Sequence, residues 1–326
     1  MRKGNISIFV PHIGCPQKCS FCNQNTITGQ SYAPTAQDVI DSVETALASN
    51  TDNKFEYEIA FFGGSFTAIK RDYMLELLEA AYPYVKSGKV KGIRISTRPD
   101  CIDEEILSLL KKYGVTAIEL GAQSMDDKVL SANFRGHTAD DVRKASNLIK
   151  KKGFELGLQM MTDLYMSSRG ADFLTAREFV KLKPKTVRIY PTVVIKGTYL
   201  AKVFEEGKYK PSALNKTVAL CAQLVELFEE NGIEVIRVGL HSSKELKENM
   251  LAGGYHECLG EMVVSKMMYN KITSNPPGKY EVYINQRSIS KLLGNKKSNI
   301  IALKDAGYDI EIKFGKTLGP NELRVI

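Results

Sequence analysis

Hydrophobic positions along this chain alternate between two periods. Short runs with strand character occur at Ile6–Val10, Tyr57–Phe62, Gly92–Ser96, Thr116–Leu120, Glu155–Met160, Thr186–Tyr190 and Ile233–Val238. Between them lie stretches with helical spacing at Thr35–Ser49, Asp72–Val85, Asp103–Tyr113, Thr138–Lys152, Asp172–Leu182 and Ser212–Asn231. Thr35, Asp103 and Thr138 are suitable N-caps. At Lys112-Tyr113-Gly114-Val115, Lys151-Lys152-Gly153-Phe154 and Glu230-Asn231-Gly232-Ile233 a helix ends on glycine and a strand follows at once, the tight exit of a βα repeat. Such alternation implies parallel strands with right-handed crossovers. Seven strands favour an α/β fold, a partial or full (β/α) barrel, over a doubly wound sheet, although periodicity alone leaves both open.

The unusual residues fall just after the strands. Three cysteines follow the first, Gly63-Gly64-Ser65 the second, Thr97-Arg98-Pro99-Asp100 the third and Gly121-Ala122-Gln123-Ser124 the fourth. Gln159 ends the fifth, and Tyr190-Pro191-Thr192 follows the sixth. In a parallel barrel these loops open on the carboxyl face, where active sites sit, so the pattern predicts an enzyme.

From His241 the pattern changes. Leu251–Ile272 reads as a helix whose Met267-Met268 packs on the barrel, with His256 and Glu257 as candidates for the active-site mouth. Asn275-Pro276-Pro277-Gly278 breaks the chain. Beyond it come a strand at Tyr280–Asn285, helical segments at Ser288–Leu293 and Ser298–Asp305, and a strand at Tyr308–Phe314. The expected division is a barrel at 1–240, a bridging helical segment at 241–278 and a small α+β domain at 279–326.

Composition narrows the class. With 326 residues, 43% of them hydrophobic, the chain can build a barrel-sized domain and a small appendage. No apolar run approaches the ~18–20 residues of a membrane helix. The start, Met1-Arg2-Lys3-Gly4-Asn5 before a short apolar stretch, does not suit a signal peptide, so a cytoplasmic protein is expected. Against 37 acidic residues stand 45 basic ones, a charge of +8, compatible with a polyanionic partner or with an ordinary basic enzyme. Residues 279–326 carry nine Lys/Arg and five Asp/Glu.

Cys15, Cys19 and Cys22 are spaced by four and three residues, while Cys101, Cys221 and Cys258 are scattered and read as incidental thiols. Clustered thiolates bind soft metals. Three on one short loop can wrap a corner of an iron–sulfur cubane and leave one iron open. Structural zinc with His12 as the fourth ligand is the competing reading.

Cys-x3-Cys-x-Phe-Cys after the first strand resembles the signature of radical S-adenosylmethionine (SAM) enzymes. Further segments are similar, more narrowly, to the radical SAM core of the elongator catalytic subunit, which modifies tRNA. These are Phe61-Phe62-Gly63-Gly64-Ser65-Phe66-Thr67, Ile118-Glu119-Leu120-Gly121-Ala122-Gln123-Ser124, Arg135-Gly136-His137-Thr138 and Arg188–Thr198. The likeness spans roughly residues 6 to 240, is shared in part with oxygen-independent coproporphyrinogen oxidases, and includes nothing like an acetyltransferase domain.

The resemblance implies that Cys15, Cys19 and Cys22 ligate a 4Fe-4S cluster whose open iron takes SAM. It places Phe21 near adenine and Gly63 and Gly64 beside the methionine amino group. Ser65 stands where many relatives carry Glu. Gln123, Arg135 and Gln159 match positions that hold the methionine carboxylate or the ribose. Tyr190, Lys196 and Asp163 are the expected catalytic residues, with Arg98 and Glu119 as pocket neighbours. Asp163 and Tyr165 occupy what is often a Gly-Leu-Pro turn. A reducing protein such as flavodoxin or ferredoxin is implied.

In the tail, Ile289-x2-Leu292-Leu293-Gly294-x2-Lys297-x2-Ile300 resembles a KH RNA-binding module, with Lys297 at the second glycine of the backbone-clamping loop. RNA, plausibly tRNA, is therefore the expected substrate, held at the barrel mouth and by residues 288–300. A small-molecule substrate, and a non-catalytic zinc-stabilised RNA-binding protein, are the alternatives.

Overall fold

The structure is a computed structural model and describes residues 2–10, 18–23, 32–52, 54–315 and 317–326. Each expected strand forms: β1 Arg2–Val10, β2 Phe55–Gly63, β3 Ile93–Thr97, β4 Val115–Gln123, β5 Glu155–Thr162, β6 Thr186–Pro191 and, after a short β7 at Val193–Ile195, β8 Glu234–Val238. The order β1-β2-β3-β4-β5-β6-β8 is all parallel and never reverses. A doubly wound sheet would fold back from its middle. This sheet runs one way and curls into a half-barrel that stays open between β1 and β8.

Several helices start where side-chain caps satisfy the first free N–H groups. Capping boxes join Thr35 to Asp38 ahead of α1 (Ala36–Ser49) and Thr138 to Asp141 ahead of the helix at Ala139–Lys151. Between these two lie α2 (Arg71–Lys86), α3 (Glu104–Lys112), which Asp103 caps through the Ile106 N–H, and α4 (Asp127–Ala132); Ala139–Lys151 is α5. Next come α6 (Arg169–Leu182), α7 (Tyr199–Glu205) and α8 (Leu214–Glu230). Strand residues such as Ile59, Ile93 and Ile118 bury their outer faces under these helices. Cys221 of α8 is fully buried there, and burial pushes its thiol up to about 12, an inert packing thiol.

The inner face is charged. Arg188 of β6 donates to Glu119 of β4 from Nε at 2.7 Å and from Nη2 at 3.0 Å, and Glu119 is 1% exposed. Gly157 on the strand between them makes this reach possible, since a Cβ there would stand 2.8 Å from Glu119 Cγ. Gln159 donates to the same carboxylate at 3.0 Å, and Arg94 of β3 approaches it at 3.5 Å. Burial works against the Arg188 charge, but the hydrogen bonds and charge of Glu119 hold the guanidinium above its ordinary value.

The segment after 240 differs from expectation. Leu251–Ile272 is not one helix. After α9 (Lys244–Asn249), Met250–Gly253 forms β9, which pairs antiparallel with β7. Contacts with the barrel therefore cross residue 240. A glycine pair ends this strand: Gly253 has φ of +123°, and a Cβ on Gly254 would stand 1.9 Å from Thr217 Oγ1. Only then does α10 (Leu259–Thr273) begin. It packs Leu259 and Val263 into the barrel core but Met268 and Ile272 into the carboxyl-terminal core, so Met267-Met268 bridges two cores.

That second core lies between α11 (Ile289–Leu293), α12 (Ser298–Asp305) and a three-stranded sheet of β10 (Lys279–Ile284), β11 (Asp309–Phe314) and β12 (Leu323–Val325). The central β10 pairs parallel with β11 and antiparallel with β12. The three-residue β12 is too short to leave a periodic signal in sequence.

Removing one partner of a buried ion pair leaves an uncompensated charge. Glu119→Ala is expected to destabilise the fold by about 3–5 kcal/mol, read as a lower urea midpoint at unchanged slope. A loss below about 1 kcal/mol would show that the Arg188 guanidinium finds other compensation.

Candidate active site

Beyond β1, residues 18–23 are tied to connections from the opposite side of the half-barrel. Ser20 N–H donates to the Asn133 carbonyl at 3.1 Å, its hydroxyl donates to Asn133 Oδ1 at 2.7 Å, and its carbonyl accepts from Leu200 N–H at 2.8 Å. Asn133 is fully buried, and its Nδ2 is fixed by the Val129 and Tyr165 carbonyls, both at 2.8 Å. Cys19 and Cys22 flank this anchored turn and close it through a 3.2 Å backbone bond. Cys15 and His12 lie outside the described residues.

Cys19, Phe21, Cys22, Gly63, Gly64, Ser65, Gln123, Arg135 and Gln159, the expected cofactor residues apart from Cys15, line one cavity of about 150 Å³. Ser96, Thr97, Arg98 and Gly121 complete it. Ser96 escaped the sequence reading; only its place two residues beyond Arg94 on the same face of β3 hints at it. Gly63 has a packing reason of its own: at φ of +110°, a Cβ would stand 2.5 Å from the Val10 carbonyl oxygen. Gly64 donates its N–H to that same carbonyl at 2.8 Å. The glycine pair thus welds β2 to β1 beneath the cavity.

Two guanidiniums reach the cavity with different duties. Arg98 is gripped by Asp100 at 2.9 and 2.7 Å. Arg135 has no carboxylate partner among the described residues; it donates to Cys19 Sγ at 2.9 Å and to the Gly121 carbonyl at 2.6 Å, and its Nε is buried without a partner. Gln123 stands at a left-handed φ of +67°, and its Oε1 is likewise buried and unpartnered. An open cation and an orphaned acceptor beside two thiols fit a zwitterionic, hydroxyl-bearing ligand on a thiolate-bound metal cluster. Next to Arg135, burial and then that guanidinium push His137 down to about 4, so its ring is neutral and Nε2–H donates to the Ala122 carbonyl at 3.1 Å.

Phe21 and Gln123 also line a second cavity of about 110 Å³, with Tyr190, Met161, Pro191, Val193, Ile195 and Leu240. Burial raises the Tyr190 phenol above its ordinary value. Of the three residues expected to be catalytic, only Tyr190 lines either of these two cavities. Lys196 lines neither of these cavities: it is exposed and donates to the Glu248 carbonyl at 3.2 Å on the β7–β9 surface. His256 and Glu257 are also on the surface, where Glu257 pairs with Lys247.

Asp163 also lines neither cavity. At φ of +61° it closes the turn after β5: its carboxylate accepts from Ser212 N–H, its carbonyl accepts from Tyr209 Oη at 2.6 Å, and its N–H donates to Asp172 Oδ2 at 3.1 Å. Asp172 is 4% exposed and has no cationic partner among the described residues; burial pushes its carboxyl up to about 6. The folded state thus holds a proton between roughly pH 4 and 6 that the unfolded chain releases, and stability falls as pH rises through that window. Asp172→Asn, with the amide donating to Ser167, is expected to exceed the wild type by about 1–2 kcal/mol at pH 7 and by little at pH 4 in denaturant titrations. An equal difference at both pH values would contradict the assignment.

The family model for the radical SAM superfamily matches residues 9–172, and the radical SAM C-terminal domain model matches residues 184–269. The tRNA uridine(34) acetyltransferase of Dehalococcoides mccartyi is 25% identical over 258 residues, 68% of this chain and 56% of that protein. Elongator complex protein 3 of Homo sapiens is 30% identical over 256 residues, 69% of this chain and 46% of that protein. The chain spans about half the length of these curated relatives. Among solved structures, archaeal Methanocaldococcus infernus Elp3 with an N-terminal deletion shares the fold at a TM-score of 0.65 and 21% identity, over 83% of this chain and 64% of that one. Coproporphyrinogen III oxidase from Escherichia coli gives 0.50 at 14% identity, over 71% and 53%. The span 9–172 contains every residue that lines the first cavity, and with it the chain belongs to the radical SAM superfamily, enzymes whose cofactors are a 4Fe-4S cluster and S-adenosylmethionine.

Proposed function

We propose that the protein reductively cleaves SAM and uses the resulting radical to take a hydrogen atom from a tRNA nucleotide. The observation that carries the reading is the pair of cavities that meet at Phe21 and Gln123, one beside the cysteines and the other apolar with a single phenol. When bound, the cluster and SAM supply an electron transfer that yields methionine and a 5′-deoxyadenosyl radical able to attack an unactivated C–H bond.

Cys15, Cys19 and Cys22 would hold the cluster. Arg135, free of any carboxylate among the described residues, would take the methionine carboxylate while its second arm stays on Cys19 Sγ. Gln123 Oε1 is the acceptor for an ammonium or ribose hydroxyl. Ser65 adds a neutral hydroxyl. Phe21 partitions the cavities, and Met161, Val193, Ile195 and Leu240 keep water from the second one. Tyr190 stays protonated near neutral pH and can donate a hydrogen bond to substrate.

The choice of tRNA draws on the Dehalococcoides relative, a tRNA uridine(34) acetyltransferase, and on the carboxyl-terminal loop. After Gly294, Lys296 and Lys297 both adopt left-handed backbone, at φ of +50° and +62°, with exposed side chains. Each costs about 1 kcal/mol that glycine would avoid, which suits two ammonium groups held out for phosphate.

Under anaerobic reduction with SAM, 5′-deoxyadenosine is expected to form and to increase with bulk tRNA. Equal amounts with and without tRNA would redirect the search to a small molecule. Cys19→Ala should abolish both iron binding and the nucleoside; full cleavage by this variant would overturn the ligand assignment. Lys296→Glu with Lys297→Glu is expected to weaken tRNA binding about tenfold or more at moderate salt, and unchanged affinity would reject the loop as an RNA contact.

A further inference from the structure

We propose that Arg237, at the open edge of the half-barrel, binds a phosphate group of the substrate beside the second cavity. The choice of phosphate rests on the RNA reading above; the existence of an anion site does not.

The reason is a misplaced charge. In the parallel pairing of β6 with β8, Arg188 is in register with Arg237, so both side chains point to the same inner face. Like charges in register repel. The inner face holds carboxylates, but they are gathered away from β8. Arg94 takes Glu58 at 3.0 Å and Glu155 at 2.8 Å and shares Glu119 at 3.5 Å. Arg188 takes Glu119 at 2.7 Å. Arg237 has no carboxylate partner among the described residues; its Nε donates to the Gly239 carbonyl at 3.0 Å, leaving both terminal nitrogens without an acceptor among those residues. Burial, and the neighbouring Arg188 charge, lower its pKa from the ordinary value. The site therefore disfavours the cation it carries, and a bound anion would relieve that.

The surroundings suit a phosphate. Tyr190 and His241 are the other titratable groups that feel Arg237. Desolvation and the two guanidiniums hold His241 below its ordinary value, so it is neutral near pH 7. Leu240, three residues beyond Arg237, and Tyr190 both line the second cavity. Because β8 is the last strand of the sheet, no further strand screens Arg237 from a polymer that enters there. The guanidinium would fix a backbone phosphate by paired hydrogen bonds while the attached nucleotide reaches towards Tyr190.

The test uses the reconstituted holoenzyme and its Arg237→Gln and Arg237→Lys variants. In buffers of equal ionic strength, inorganic phosphate is expected to raise the melting temperature of the wild type, to do so less for Arg237→Lys and not at all for Arg237→Gln. Without phosphate, Arg237→Gln should melt no lower than the wild type, because it removes a repulsion. Its affinity for a short single-stranded RNA should fall roughly tenfold, with a salt slope smaller by about one. Phosphate protection that is absent from the wild type, or equal in Arg237→Gln, overturns the proposal. So does a variant that melts lower without phosphate, which would make Arg237 structural. Lost phosphate protection with unchanged RNA affinity supports the anion site and instead refutes RNA as what occupies it.

Discussion

One buried carboxylate organises the inside of this half-barrel. Glu119, 1% exposed, receives hydrogen bonds from β5 and β6 and the approach of Arg94 from β3. Such a charge is tolerable in the interior only while its partners are in place. Its bonds therefore set the relative heights of four strands, and with them the loops those strands carry. Gly157 is part of the same constraint, since any side chain there would push the carboxylate off Arg188.

The cofactor end is held by a different means. The cysteine loop leaves β1 but is anchored at Asn133, after β4, and at Leu200, after β7. A loop pinned from across the mouth places Cys19 against Arg135, which comes from the same connection as Asn133. One connection thus both supports the loop and supplies the cation beside it. The second cavity shares Phe21 and Gln123 with the first and extends to Tyr190 of β6 and Leu240 beyond β8.

Much of this was legible beforehand. Strand and helix runs are long and strongly periodic, the capping residues are local signals, and most residues that line the first cavity sit in or just beyond the carboxyl end of a strand, where a parallel sheet gathers its loops. Other placements were not legible locally. Asp163 was expected at the catalytic site because it stands where relatives often carry a Gly-Leu-Pro turn, and its left-handed backbone turns the carboxylate to the Ser212 amide. Lys196 follows a distinctive motif yet projects from a hairpin that β9 completes, and β9 was hidden inside an apparently helical stretch. The Met267-Met268 pair suggested packing on the barrel, and its two faces serve two cores.

The sequence by itself determined the α/β class and the runs that become its strands and helices, because hydrophobic period and turn chemistry act over a few residues; the strand order came from the tertiary structure. Tertiary structure alone decided which charges are compensated. Arg94, Arg98, Arg135, Arg188 and Arg237 are alike as letters. In space, Arg94 and Arg188 share buried Glu119, Arg98 closes on Asp100 two residues away, and Arg135 and Arg237 have no carboxylate partner among the described residues. Apart from the local Arg98–Asp100 pair, this pairing depends on register and distance between strands far apart in the chain.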